Sequence, residues 1–595
     1  MCGQVIEYQT DIRLEKGRLV TEERYVIQID SKDSDWLSDV SIHYQQGDKI
    51  DILEASIVNL QGKVLRSLEK KEITTRNYIS GGAFFQDDWV QQFSLKWNQF
   101  PYRIVYHYRT VEDKYLYLCY WSPATRYNVS VKKADLSVSY PRELPVRIHH
   151  PKNQKSDSSI IKGQVVHKWH FVDLAPLKRE AFAPAPFDLL PQIIVAPKQF
   201  FYGVEGSMES WATYGKWRAA LNAGTNDLPQ SEVLKVNQLI RGTTDKKEII
   251  KRLYHYMQDN TRYINVSIDV GGLKSYPASY VSKNKYGDCK ALTTFMKSLL
   301  QSAGIESYYA HVNGSDVPPV IYHEVPGPQF NHVILCVPIQ KDTIWLENTN
   351  NSLPYNYLGT FTQGREALVS SDVGGTIVRT PAMLPSTVKT VKRYDFQIDN
   401  EGSGKASAAL RLRGDEFENI RNFQVNETEE NLKTALSESL PNGFQLVTWK
   451  IQQENRDTPE VELLMELEVT GQVRKLGTTL MLKPLSISLP GLEDPQRRKS
   501  PVVMAFPTDV EQITSYTLSF MDGYAVSLPQ NGSLVTPFGS YEVAYRLDDD
   551  VVRVSRHLIV HKASIPVSDY AKFHAFYKGI KELDRLSGIA FNPKP

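Results

Sequence analysis

The sequence is short of cysteine. Four of its 595 residues are cysteines, Cys2, Cys119, Cys289 and Cys336. No two stand close enough for a metal knuckle or a CxxC redox pair, and a disulfide framework is not indicated; domains of ordinary size bury sufficient core without one. The 13 histidines are scattered, with His149-His150 and His167/His170 as the only clusters and no HExxH motif, so no bound metal is expected. Net charge is almost absent as well: 69 Lys+Arg against 68 Asp+Glu leave +1, without the basic surplus of a nucleic-acid binder. No segment reaches the roughly 18 apolar residues of a membrane-spanning helix; the apolar stretch 189–197 is short and interrupted by prolines. Internal repeats and low-complexity tracts are missing too. Met1-Cys2-Gly3 runs straight into strand-like sequence, with neither the basic nor the apolar region of a leader. As it stands the chain is expected to carry no export signal. Cys2 reads as an ordinary cysteine near a chain end, the alternative being the lipid-bearing cysteine of a truncated leader.

What is present is globular. Hydrophobic residues make up 41% and charged residues 23%, close to ordinary usage, and the length implies roughly three to five domains. Residues 1–180 read as an all-β sandwich, with period-two alternation at 25–30, 50–60 and most clearly 104–121. There Tyr115, Tyr117, Cys119 and Trp121 share one face. Aromatic strand packing accounts for the tyrosine density better than a carbohydrate-stacking surface. Prolines at 184, 186, 191 and 197 suit neither a helix nor a central strand, so residues 181–205 are read as an extended connector. Helical spacing follows at 233–240 and again at 249–257, where Asp245 is placed as N-cap with Glu248 in a capping-box position. A further helix starts near Cys289, and strands are expected at 331–338 and 343–347, which makes 206–380 an α+β domain. From 385 to 595 the pattern returns to strands (390–398, 407–412, 461–469). One helix at 428–440 interrupts them and another closes the chain at 568–586, its stripe of Tyr570, Phe573, Phe576, Ile580 and Leu583 docking on a core.

The chemistry concentrates in Lys285-Tyr286-Gly287-Asp288-Cys289-Lys290. Gly287 is expected to supply a tight turn and Asp288 an N-cap. Cys289 then lies in the first turn of a helix whose inner face is Leu292, Phe295, Met296, Leu299 and Leu300. A thiol there sits in the positive potential of unpaired amides, which favours the thiolate and offers donors to an oxyanion. His332 opens an apolar strand, Asn331-His332-Val333-Ile334-Leu335. A turn later, Trp345-Leu346-Glu347-Asn348 returns alongside it. The thiol needs a base and the base needs an orienting group; Cys289, His332 and either Glu347 or Asn348 meet that need. Lys290 either adds local positive potential or is a solvated helix residue. Cys336 is expected to be a buried structural thiol, and His311 and His323 to lie in a surface loop. Trp345 either roofs the site or belongs to the core.

Tyr-Gly-Asp-Cys-Lys, a helix, Asn-His-Val and Trp-Leu-Glu in that order resemble the transglutaminase-like superfamily, over roughly residues 206–375. Arg262-Tyr263-Ile264, Gly271-Gly272 and Tyr276-Pro277-Ala278 resemble its bacterial branch, in which β-rich domains flank the core. The resemblance implies a papain-type triad with Cys289 as nucleophile and His332 as base, Glu347 standing where the family usually has Asp, and Asn348 as the alternative orienting residue. It implies a multidomain fold: an N-terminal all-β sandwich, a central α+β transglutaminase/papain-like domain, and a C-terminal, jelly-roll-like, mostly-β sandwich with a terminal helix. It further implies a cysteine hydrolase or acyltransferase acting on peptide or protein amides through a thioester, with no cofactor, and a periplasmic or cell-envelope location. The Glu-for-Asp replacement leaves a second expectation open, a non-catalytic envelope scaffold with a degenerate core. Oligomeric state and any choice between water and amine as acceptor are not legible in these residues.

Overall fold

The structure is a computed structural model that describes residues 3–78, 83–86, 88–124, 126–267 and 272–594; Cys2 and Gly271 lie outside them. In the N-terminal part an eight-stranded sheet has Gln4–Glu15 and Arg18–Ile29 near its middle, flanked by Ser130–Pro141 and Tyr102–Glu112. A three-stranded sheet of Asp39–Gln45, Asp88–Ser94 and Thr74–Asn77 shares its core, where Ile27, Ile29 and Ile104 meet Val40, Ile42 and Phe93. Alternating burial along Gln4–Glu15 reflects the two-residue period of a half-buried strand. Several of the tyrosines are packed inside, Tyr25 stacking between Tyr8 and Tyr106 with ring centroids 4.3 and 4.8 Å away, whereas Tyr120 is exposed.

Two expectations change here. The alternation at 104–121 is not one strand. Tyr102–Glu112 ends at a polar run, Glu112-Asp113-Lys114, and Cys119–Trp121 belongs to another sheet. In that sheet the central strand is Ile193–Pro197, buried along its whole length, within the segment read as a connector. The prolines do not prevent this, because Pro191 precedes the strand and Pro197 ends it; the residues between keep their N–H groups for the ladder.

The central part is a five-stranded antiparallel sheet in the order Asp342–Leu346, His332–Ile339, Tyr308–Val312, Glu366–Ser370, Gly375–Arg379. Helix Cys289–Ser302 packs against His332–Ile339 and is covered by helices Gln230–Leu239, Lys246–Asn260 and Ala278–Asn284. Leu292, Phe295, Met296, Leu299 and Leu300 meet Leu253, Tyr254, Leu335 and Leu346 in one core. Because the helix is covered on several sides, its polar residues are buried too, and Thr294 and Ser298 donate to the carbonyls of Lys290 (2.9 Å) and Thr294 (2.8 Å), the back-bonding that hydroxyls use inside helices. Asp245 caps Lys246–Asn260 through the amide of Lys247. Glu248 does not complete a capping box and pairs instead with Arg252.

The C-terminal part is again strand-rich. Thr390–Ile398 and Thr508–Leu518 run parallel at the centre of an eight-stranded sheet. Helices Gly414–Asn426, Glu429–Ser439 and Tyr570–Arg585 bury Phe417, Leu432, Phe573 and Ile580 in its core. No helix among the described residues is long and apolar enough to cross a membrane.

Candidate active site

The segment that presents Cys289 is fixed before the helix begins. Lys285 terminates helix Ala278–Asn284 in the left-handed region, at φ 59°. Tyr286–Gly287 then pairs in parallel with Arg262–Tyr263. The turn expected at Gly287 is therefore carried by Lys285. Gly287 serves a different need: a Cβ on it would lie 2.7 Å from the Cβ of Ala291, so only glycine lets the chain pass this close to the helix.

Asp288 is the N-cap, its Oδ1 accepting from the Ala291 amide at 2.8 Å. Its Oδ2 faces the Lys290 ammonium as an ion pair without an aligned hydrogen bond. Lys290 is not the solvated alternative: its side chain is only 12% exposed. Burial works against the ammonium, and the charges of Cys289 and Asp288 prevail and raise its pKa. With the Ala291 amide used by the cap, the Cys289 and Lys290 amides are the first-turn donors left without intrahelical acceptors. Cys289 itself is 8% exposed.

His332 opens its strand opposite the end of Asp342–Leu346. The antiparallel register pairs Leu335 with Leu346 and Cys336 with Trp345. Alternation then places Glu347 on the same face as Trp345 and His332. The His332 Nε2 lies 3.1 and 3.0 Å from the two carboxylate oxygens of Glu347. Glu347 Oε1 also accepts from the Thr349 amide (3.2 Å) and hydroxyl (2.7 Å), and the Glu347 carbonyl accepts from Tyr254 (2.8 Å). The added methylene of glutamate is thus taken up by a carboxylate anchored on its own strand end. Asn348 points elsewhere, donating to Thr293 Oγ1 at 3.0 Å.

The electrostatics agree with this geometry. Burial disfavours the His332 imidazolium, but the Glu347 charge and the influence of the nearby Cys289 side chain overcome it and push the pKa up to about 10. Glu347 is held below its ordinary value although burial opposes the charged form, because His332 and Thr349 stabilise the carboxylate. With Nε2 committed to Glu347, Nδ1 is the ring nitrogen left to act on the Cys289 thiol.

Cys336 is buried, and burial raises its thiol to about 11; it lies with Trp345 and Ile334 in a separate small core. His323 is exposed, paired with Glu366. His311 departs from the loop expectation. It lies buried on strand Tyr308–Val312, between Arg218 (3.1 Å) and Ser370 (3.1 Å), and burial with the nearby cations drives its pKa well down. Three further neighbours of the site are not assigned to it from sequence. Thr349 leaves a signal, a hydroxyl two residues past the carboxylate it binds. Phe361, 5.7 Å edge-on from the His332 ring and 47% exposed, leaves none. Tyr263, 42% exposed, lies within the electrostatic reach of Cys289. Among the described residues no group of three or more His, Cys, Asp or Glu side chains is arranged to hold a metal.

Residues 235–346, which contain Cys289 and His332 and stop one residue short of Glu347, match the transglutaminase-like superfamily. The central domain is transglutaminase-like. It is flanked by two domains of unknown function, DUF3857 over residues 15–178 and DUF3858 over 479–587. A crystal structure of a putative protease from Parabacteroides distasonis ATCC 8503 aligns over 99% of both chains, with a TM-score of 0.65 and 12% identity; it shares the whole three-part fold. A putative cysteine protease from Cytophaga hutchinsonii aligns over 39% of this chain and 69% of its own, at 9% identity and a TM-score of 0.17. Aminopeptidase A of Legionella pneumophila with aspartic acid aligns over 44% and 27%, at 11% identity and a TM-score of 0.19. These last two overlaps are too poor to argue from. No curated protein matches the chain.

Proposed function

We propose that the transglutaminase-like core is a cysteine hydrolase or acyltransferase acting on peptide or protein amides. The observation that supports this reading is the pairing of His332 with Glu347 within electrostatic reach of Cys289, which stands in the first turn of a helix. Glu347 stabilises the imidazolium, and the imidazolium stabilises a thiolate beside it. The thiolate attacks the amide carbonyl carbon. The Cys289 and Lys290 amides face the oxygen on which negative charge develops. As the tetrahedral species collapses, the C–N bond breaks and His332 gives its proton to the departing amine, leaving a thioester. Neutral His332 then takes a proton from water, whose oxygen attacks the thioester and releases the acid; an amine in place of water gives transamidation by the same path. Glu347 keeps its charge throughout and acts by orienting the ring.

Alkylation tests this directly. Iodoacetamide is added to the full chain from pH 5 to pH 10 and the modified cysteine is mapped. Cys289 is expected to react preferentially at or below neutral pH, while Cys119 and Cys336 remain unmodified in the folded protein. In His332→Ala the rate is expected to follow a thiol of pKa about 8.5. If wild-type Cys289 already behaves as such a thiol, the catalytic reading fails.

A further inference from the structure

A cavity of about 720 Å³ borders the same helix away from the triad: Thr294, Lys297 and Gln301 line it, and Cys289, His332 and Glu347 do not. Its volume falls in the roughly 300–1,000 Å³ range of small-molecule sites. Ala220, Ala223 and Ile305 give it a carbon wall, and Tyr308 and Tyr309 line it as well.

Lys297 sets its chemistry. The ammonium lies 6.0 and 5.5 Å from the ring centroids of Tyr308 and Tyr309. Among the described residues no carboxylate comes within ion-pair distance of it, although 34 such pairs occur elsewhere in the chain, up to 4.0 Å apart. Burial holds the ammonium below its usual range against the opposing pull of Asp372 and Glu306. A half-desolvated cation whose near partners are aromatic, with Asp372 and Glu306 acting on it only from beyond ion-pair distance, is incompletely neutralised. The hydroxyl of Ser307, on the same wall, is buried without a hydrogen-bond partner. The other charged lining residues are Lys216, Glu306 and Asp372, so the cavity presents two cations and two anions. A simple anion would satisfy Lys297 and be repelled by the two acids; a dipolar ligand satisfies both.

We propose that this cavity binds a zwitterionic amino acid or dipeptide, its carboxylate on Lys297 and its ammonium toward Glu306 and Asp372. The proposal is independent of the catalytic reading, and its test removes the nucleophile. Full-length Cys289→Ala protein is titrated by calorimetry with Ala-Phe and Gly-Tyr, and with their N-acetyl and C-terminal amide forms. Saturable binding of one dipeptide per chain is expected, weakened about tenfold or more by either block, as for loss of a charge-assisted contact. In Cys289→Ala/Lys297→Met the difference between the acid and its amide should vanish; in Cys289→Ala/Glu306→Gln/Asp372→Asn the difference between free and acetylated amine should vanish. Circular dichroism melts establish that each variant is folded. No saturable binding up to about 10 mM overturns the proposal. So does an acid-over-amide preference that survives Lys297→Met, which would place the dipeptide elsewhere, including the Cys289 cleft. Equal binding of the N-acetyl form would make the site one for simple anions, and would equally overturn it.

Discussion

His332 and Glu347 form a buried ion pair whose strength depends on pH in a defined direction. The folded-state pKa of His332 is raised, to about 10 from 6.5. Its contribution to stability is therefore fully present below about pH 6.5 and is lost as pH rises through about 10. The Glu347 pKa is depressed, so its share is present above its ordinary value of 4.5 and is lost only as pH falls through the depressed one. Between the two windows the pair is intact. The unfolding temperature should thus decline from pH 6.5 to 10 more steeply in the wild type than in His332→Gln, which has no proton to lose there. Calorimetric scans at several pH values compare the two; identical slopes would mean that His332 is not charged at neutral pH. At this scale the sequence was informative where chemistry demands a spacing. Of a helix-start cysteine, a histidine opening an apolar strand and a carboxylate on the returning strand, the structure pairs the last two, His332 and Glu347, within electrostatic reach of Cys289. The choice between Glu347 and Asn348 needed the register, which alternation along the strand then decided. Gly287 and His311 were less legible, because a glycine required for close approach looks the same as one required for a turn, and a buried histidine is recognised only by partners as distant in sequence as Arg218 and Ser370.

At the scale of elements, the helix that carries Cys289 depends on one carboxylate doing two things. Asp288 caps the Ala291 amide and neutralises Lys290, which has almost no access to water. Removing an N-cap alone costs about 1 kcal/mol; stranding a buried charge costs roughly 3–5 kcal/mol. Asp288→Ala does both and Asp288→Asn keeps an acceptor for the cap, so the order of stability should be wild type, then Asp288→Asn, then Asp288→Ala. Hydrogen exchange at the amides of residues 291–294 reports the local opening, and equal protection in all three proteins would show that neither role holds the helix. Elements whose pattern is set by one buried face were readable. Thr390–Ile398 and Val461–Val469 have the expected bounds, since each alternates cleanly against a single core. Helix Trp211–Leu221 was not found. Its sequence has no clear apolar stripe, and a glycine, Gly215, stands at its middle. The structure gives the reason: a Cβ on Gly215 would come within 2.3 Å of the Gly375 backbone, so the helix lies directly on the strand and contributes little side-chain pattern there.

At the scale of the whole molecule, the segment after the N-terminal sheet is tied to the C-terminal part through one cation. The Arg498 side chain is fully buried, with Glu180 at 3.4 Å and Glu493 at 2.9 Å, and it donates to the Ala181 carbonyl at 2.6 Å. Glu180 also accepts from the amides of Lys499 and Ser500, both at 2.8 Å. Glu180 and Ala181 lie more than 300 positions from these partners in the chain, which is why a connector expected to follow a domain surface gave no sign of which residues hold it. Glu493 remains beside Arg498 when Glu180 is removed, so Glu180→Ala should cost about 3 kcal/mol, the lower end for breaking a buried pair. A chain of several domains need not unfold in one step, so the loss is best read where it occurs. Limited proteolysis under native conditions should cut Glu180→Ala faster than wild type within residues 176–190, without faster cutting near Cys289. Replacing both partners, Glu180→Gln with Arg498→Met, takes the uncompensated charge away and should recover much of the resistance. If the single variant is cut at the wild-type rate, the Glu180–Arg498 pair does not anchor the segment; if the double variant is cut as fast as the single one, the hydrogen bonds of Glu180 to the 499–500 backbone, rather than the charge of Arg498, carry the anchor.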